Sequence, residues 1–183
     1  MKNAIKSAMP IAALFFLTAC GNNETSDKQT EDQDTTKMDQ MSNENAGSSA
    51  SLKDEKLNGV YQHYIHLTTA LTNHDVAEAK IAANAIEAGA KELEGGGTIA
   101  SSASKITNAG DIEAQRAAYS TLSNEFISRV KKSGLTKGEL YVDYCPMAFD
   151  NKGAYWLSNQ KGIRNPYFGD KMMTCGEITE TVR

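Results

Sequence analysis

The feature that most constrains the fold is a change of hydrophobic period at Glu139. Before it, apolar residues recur every three or four positions, which is typical of amphipathic helices. After it, Leu140, Val142 and Tyr144 are separated by single residues, as in a half-buried strand. The sequence therefore predicts a mainly α domain that carries a small C-terminal β or irregular cap.

Three long helical segments and a short, weak one are predicted before that change. Their stop signals are the run Gly95-Gly96-Gly97 and Gly134, and Asp75 and Asp111 are suited to be N-caps. The predicted segments are Leu52–Thr72, Val76–Leu93, Thr98–Asn108 and the stretch from Ile112 to Val130. Three to four helices joined by short loops favour an up-down helical bundle.

The cap is expected to hold two more strands. Asp150-Asn151-Lys152-Gly153 is strong turn chemistry, so residues 154–158 are predicted to return beside the first strand. A final strand is predicted over residues 175–182.

The N-terminus has the pattern of a bacterial lipoprotein signal. Lys2 and Lys6 precede a short apolar run, and Leu17-Thr18-Ala19-Cys20 resembles a cleavage box. We expect residues 1–19 to be removed and Cys20 to be lipidated, which would anchor the protein to a bacterial envelope membrane, facing the periplasm or the outer-membrane surface. The alternative is an ordinary secretory signal with an incidental cysteine.

Residues 20–51 are predicted to be a disordered acidic linker after the lipidated cysteine, because they hold almost no large apolar residue. Residues 52–183 then form a single domain, with sixteen acidic and fifteen basic residues. A domain this close to neutral, without a basic stripe, argues against nucleic acid as a partner.

A cluster of sulfur side chains marks the predicted cap. Cys145 and Cys175 are the two thiols left after lipidation, and Met147, Met172 and Met173 lie two or three residues from them. In an oxidising compartment an even pair of cysteines indicates a disulfide. Thiolate and thioether together are also the ligands that select Cu(I), and by extension Ag(I). The residues alone leave both interpretations open.

No pattern in the chain indicates an enzyme. The histidines are expected to be solvated or local, and Trp156 is expected to anchor the core. The cap carboxylates are also expected to be solvated; they are Asp143, Asp150, Asp170 and Glu177. A cysteine nucleophile would need an oriented base, and the segment from 141 to 176 contains no histidine.

Four motifs carry a resemblance to a known family: Cys145-Pro146-Met147-Ala148, residues 153–158, Asn165-Pro166-Tyr167-Phe168-Gly169 and Cys175-Gly176. They resemble the C-terminal signature of an uncharacterised family of exported Bacteroidota domains, typically lipoproteins, and the resemblance covers most of residues 55–182. Similar domains are appended to membrane-fusion adaptors of heavy-metal efflux systems.

The resemblance implies a module tied to the handling of copper or a related metal, with an efflux adaptor as a possible partner. Carried over to this chain, it nominates four metal ligands, namely Cys145, Met147, Met173 and Cys175. The alternative is a disulfide-stapled helical interaction module without metal.

Overall fold

Four helices make up most of the structure, a computed structural model that describes residues 49–183. The predicted signal peptide, Cys20 and nearly all of the predicted linker lie outside the described residues. The helices are α1 (Glu55–Thr72), α2 (Val76–Lys91), α3 (Gly97–Asn108) and α4 (Ile112–Ser133).

Carboxylate caps begin three of these helices. The side chains of Asp54, Asp75 and Asp111 each accept a hydrogen bond from a backbone N–H in the first turn of α1, α2 and α4. The first helix begins at Glu55 rather than at Leu52, because the preceding residues form a strand and then the cap.

Two small antiparallel sheets complete the fold. In the first, β1 (Ser51–Leu52) pairs with β2 (Leu135–Lys137), and neither strand was predicted. The second sheet has the order β4-β3-β5. Along the chain this region contains β3 (Leu140–Cys145), a single turn with a left-handed backbone (Ala148–Asn151), β4 (Ala154–Ser158), a 3₁₀ turn (Gly169–Met172) and β5 (Glu177–Val182).

Consecutive helices pack against each other, and α4 also packs against β4. The face of α2 in the core is built from alanines with Ile86, which allows its neighbours to approach closely. Trp156 on β4 is 1% exposed and is part of the same core, as expected. The prediction of a mostly helical domain with a small C-terminal sheet is therefore confirmed.

Candidate functional site

The two thiols meet where β3 ends and β5 is about to begin. Cys145 is the last residue of β3, and β5 pairs with β3 from Glu177 onwards, so strand pairing carries Cys175 back to Cys145. The two Sγ atoms are 3.2 Å apart, and both cysteines are free thiols. The structure thus brings Cys145 and Cys175 into contact, as both the disulfide and the metal interpretation require.

The surroundings of the two sulfurs differ. Cys145 is 0% exposed and is held in a central strand, where it pairs with Ala154 of β4. Cys175 is only partly buried and precedes the edge strand β5. The hydrogen bond with Cys145 is the main cause that raises the pKa of the Cys175 thiol, and burial raises it further.

Buried Asn165 holds the backbone of the segment that contains Cys175. Its Nδ2 donates to the backbone oxygen of Cys175 at 2.7 Å, and its Oδ1 accepts from the N–H of Tyr167 at 2.8 Å. The following Gly176 has φ +141°, and a Cβ there would lie 2.9 Å from the backbone oxygen of Tyr144. Only glycine fits this approach, which explains the Cys-Gly pair and why the strand starts at Glu177 rather than at Cys175.

The turn after Cys145 has a left-handed backbone. Residues 149–151, Phe-Asp-Asn, have φ angles of 52°, 57° and 65°. Each such residue costs about 1 kcal/mol or more unless its surroundings compensate. The N–H of Gly153 donates to the oxygen of Ala148 at 2.9 Å, and the ring of Phe149 packs edge-on against Tyr167. The backbone beside Cys145 is therefore held in place by tertiary contacts.

The methionines nominated as ligands lie in different settings. Met147 is 48% exposed, and Met173 is partly buried at the end of the 3₁₀ turn. Within residues 49–183, no group of three or more His, Cys, Asp or Glu side chains could hold a metal ion. The site that the described residues present is therefore a pair of thiols, and the thioether ligands remain a prediction.

Asp143 is the site residue that sequence reasoning missed. It lies two residues before Cys145 on β3, opposite Trp156, and is 0% exposed. Neither carboxyl oxygen has a hydrogen-bond partner in the described structure, and burial raises the pKa of this carboxyl from 3.8 to about 8. The expectation that Asp143 is solvated is wrong. The alternation of the sequence predicted one exposed face on β3, whereas the residues of that face, 141, 143 and 145, are buried as well.

A buried hydroxyl network joins the helices to the sheet. The Oη of Tyr64 lies 2.7 Å from Ser123 Oγ, accepts from Tyr119 Oη at 2.9 Å and accepts from the backbone N–H of Leu157 at 2.9 Å. Thr68 Oγ1 is 2.7 Å from Tyr119 Oη. Burial raises the pKa of both tyrosines, so their hydroxyls stay protonated and keep donating.

Arg116 fastens the segment before Cys175 to the helices. This side chain is 1% exposed, and its guanidinium donates to the oxygen of Pro166 at 2.8 Å and to the oxygen of Leu71 at 3.1 Å. His74, expected to be a local turn residue, instead contacts Arg116 through Nε2 at 3.3 Å and Asp170 through Nδ1 at 3.2 Å. The sequence carried one sign of this burial, because Arg116 lies four residues after Ile112 and three before Tyr119, on the apolar stripe of α4.

The remaining histidines are exposed, as expected. His63 is exposed on α1, and His66 pairs with Glu78 at 2.9 Å with a side chain that is 45% exposed.

Comparison with known proteins gives one match. A DUF3347 domain, described as a protein of unknown function, is found at residues 60–138. The match ends before β3, so both thiols lie outside it. No curated protein and no solved structure matches the chain. Among the described residues, no helix has the length and apolar character needed to span a membrane.

Proposed function

We propose that this chain is an exported, lipid-anchored protein that binds a soft monovalent cation, Cu(I) or Ag(I), through Cys145 and Cys175. The observation that carries the proposal is the 3.2 Å separation of the two thiol sulfurs. Thiolates are the protein ligands that these cations prefer, and two of them suffice for a low-coordinate ion.

Metal entry requires only a small movement. An ion lying between two thiolates at about 2.3 Å from each needs the sulfurs to separate by about 1 Å or more. Cys145 is fixed by its strand, whereas Cys175 lies outside any strand. We therefore place the movement in the side chain of Cys175, whose backbone stays held by Asn165, with Met147 and Met173 as the thioethers available to complete the shell.

Lipidation of Cys20 would keep the domain at the envelope membrane, and the linker would let it search near its anchor. There it would buffer the cation or donate it to a heavy-metal efflux adaptor, as the resemblance to Bacteroidota lipoproteins suggests. We propose no catalytic role and no nucleic-acid partner. An up-down order of the four helices belongs to the same proposal, supported by the packing of each helix on the next.

An anaerobic Cu(I) titration tests the ligand assignment. The full chain carrying Cys20→Ala, so that only two thiols remain, is reduced and competed against a chromophoric Cu(I) chelator. We expect one Cu(I) per chain, lost in Cys145→Ser and weakened in Met147→Leu, which keeps volume but removes the thioether. Stoichiometric binding by Cys145→Ser at unchanged affinity would refute the assignment.

A disulfide-stapled interaction module is the second candidate, and the same distance favours it. The sulfurs need to approach by about 1.2 Å to reach the bond length of a disulfide. Closing a loop of about thirty residues stabilises the fold by about 3–4 kcal/mol on chain-entropy reasoning. Thiol counting on protein purified without reductant separates the candidates, since the staple predicts no reactive thiol after unfolding.

A further inference from the structure

The thiol pair has one accessible member and one shielded member. Cys145 is 0% exposed in the central strand of the sheet, so an external reagent cannot reach its sulfur while the surrounding fold is intact. Cys175 is partly exposed in the connection that leads to edge strand β5.

We propose that this pair undergoes thiol–disulfide exchange with external aliphatic disulfides, and that Cys175 is the sulfur through which the exchange enters. The inference rests on the same two cysteines as the proposed function, but it does not require a metal. Its substrate class is a small or protein-borne disulfide whose sulfur can reach Cys175.

The exchange has two steps. The Cys175 thiol loses its proton to solvent, and the thiolate attacks a disulfide RSSR, forming a mixed disulfide and releasing RS⁻. Cys145 then loses its proton and attacks the Cys175 sulfur, forming the internal disulfide and releasing a second RS⁻. The dithiol loses two electrons, and RSSR gains them as two thiols. Reduction runs through the same mixed disulfide in reverse.

The fold positions Cys145 for the second step, the attack on the mixed disulfide at Cys175. Its sulfur already lies 3.2 Å from that of Cys175, so a mixed disulfide on Cys175 faces a resolving thiol at contact distance. Such proximity makes the internal attack much faster than attack by a second external molecule.

Trapping the mixed disulfide tests the proposal. Full chain carrying Cys20→Ala is reduced and then treated with oxidised glutathione, and the products are weighed by intact mass spectrometry. Cys145→Ser should retain one glutathione. Cys175→Ser should react with oxidised glutathione at least about tenfold more slowly than Cys145→Ser does. Protein with both thiols should lose two hydrogens and retain no glutathione.

The two serine variants are matched controls for each other, with folding checked by circular dichroism. Alkylation of the unsubstituted pair by iodoacetamide, followed by peptide mapping, supplies a test that needs no variant. Cys175 should be labelled first. Equal or faster modification of Cys145 in either experiment would overturn the proposal. Failure of copper binding with successful trapping would reject the metal function and leave this inference standing.

Discussion

The helices and the C-terminal sheet of this chain satisfy their buried polar groups to different degrees. In the helical region, residues 55–133, the buried tyrosines are joined in a hydrogen-bonded network, and one buried side-chain atom, Gln115 Oε1, has no partner. In the sheet region, residues 135–183, both oxygens of Asp143 are buried without a partner. An unmatched carboxyl is far more costly than an unmatched amide oxygen, because its ionised form is the one that burial disfavours.

The sheet region also carries more backbone strain than the helical region. The sheet region holds three consecutive non-glycine residues with positive φ, whereas the helical region has one, His74, in the turn after α1. Strained backbone and buried polar groups without a hydrogen-bond partner tend to collect at functional sites, where surrounding structure holds them in place. Here both features lie within six residues of Cys145, which supports placing the function in the sheet region.

The largest expected effect comes from removing the buried carboxyl with Asp143→Asn. The folded-state pKa of Asp143 is raised from 3.8 to about 8. Between these values the unfolded chain has lost a proton that the native state retains, so stability falls as the pH rises. Asp143→Asn should abolish that fall and be more stable than the parent by about 3–5 kcal/mol at pH 8.5, but not at pH 4.

Urea unfolding at both pH values, under reducing conditions, measures this difference. Glu177→Gln is the matched control, because Glu177 is exposed on the neighbouring strand and should change stability little. If the parent and Asp143→Asn lose stability in parallel with rising pH, Asp143 is not protonated in the fold, and the contrast between the two regions disappears.

The helical region was more predictable from sequence than the sheet region, for a physical reason. Helix starts are encoded locally, and Asp75 and Asp111 cap the helices for which they were predicted. The meeting of Cys145 with Cys175 was anticipated, but it depends on a strand pairing across about thirty residues. The burial of Asp143 and Arg116 is completed by distant segments that cover them, and the local sequence does not identify those segments.

Tyr64→Phe tests whether the hydrogen-bonded tyrosine network of the helical region stabilises the fold. The change removes the acceptor for the buried N–H of Leu157 and the partner of Ser123. Leaving those groups unpaired should cost about 2–3 kcal/mol in the free energy of unfolding. Tyr155 is 42% exposed, so Tyr155→Phe should change the free energy of unfolding by less than about 0.5 kcal/mol. Equal effects of the two changes would mean that the network is not a source of stability.

The smallest predicted effect concerns the left-handed turn beside Cys145. Asp150 has φ +57°, which a glycine adopts without steric cost. Asp150→Gly should therefore be stabilising, by about 0.5–1 kcal/mol, after the entropy cost of glycine is subtracted. Asp170→Gly, an exposed site without positive φ that also loses a contact with His74, should be destabilising by a similar amount. Chemical denaturation of both variants gives the sign directly. If Asp150→Gly destabilises as much as Asp170→Gly does, the turn stores no strain, and the sheet region differs from the helices only in its unpaired carboxyl.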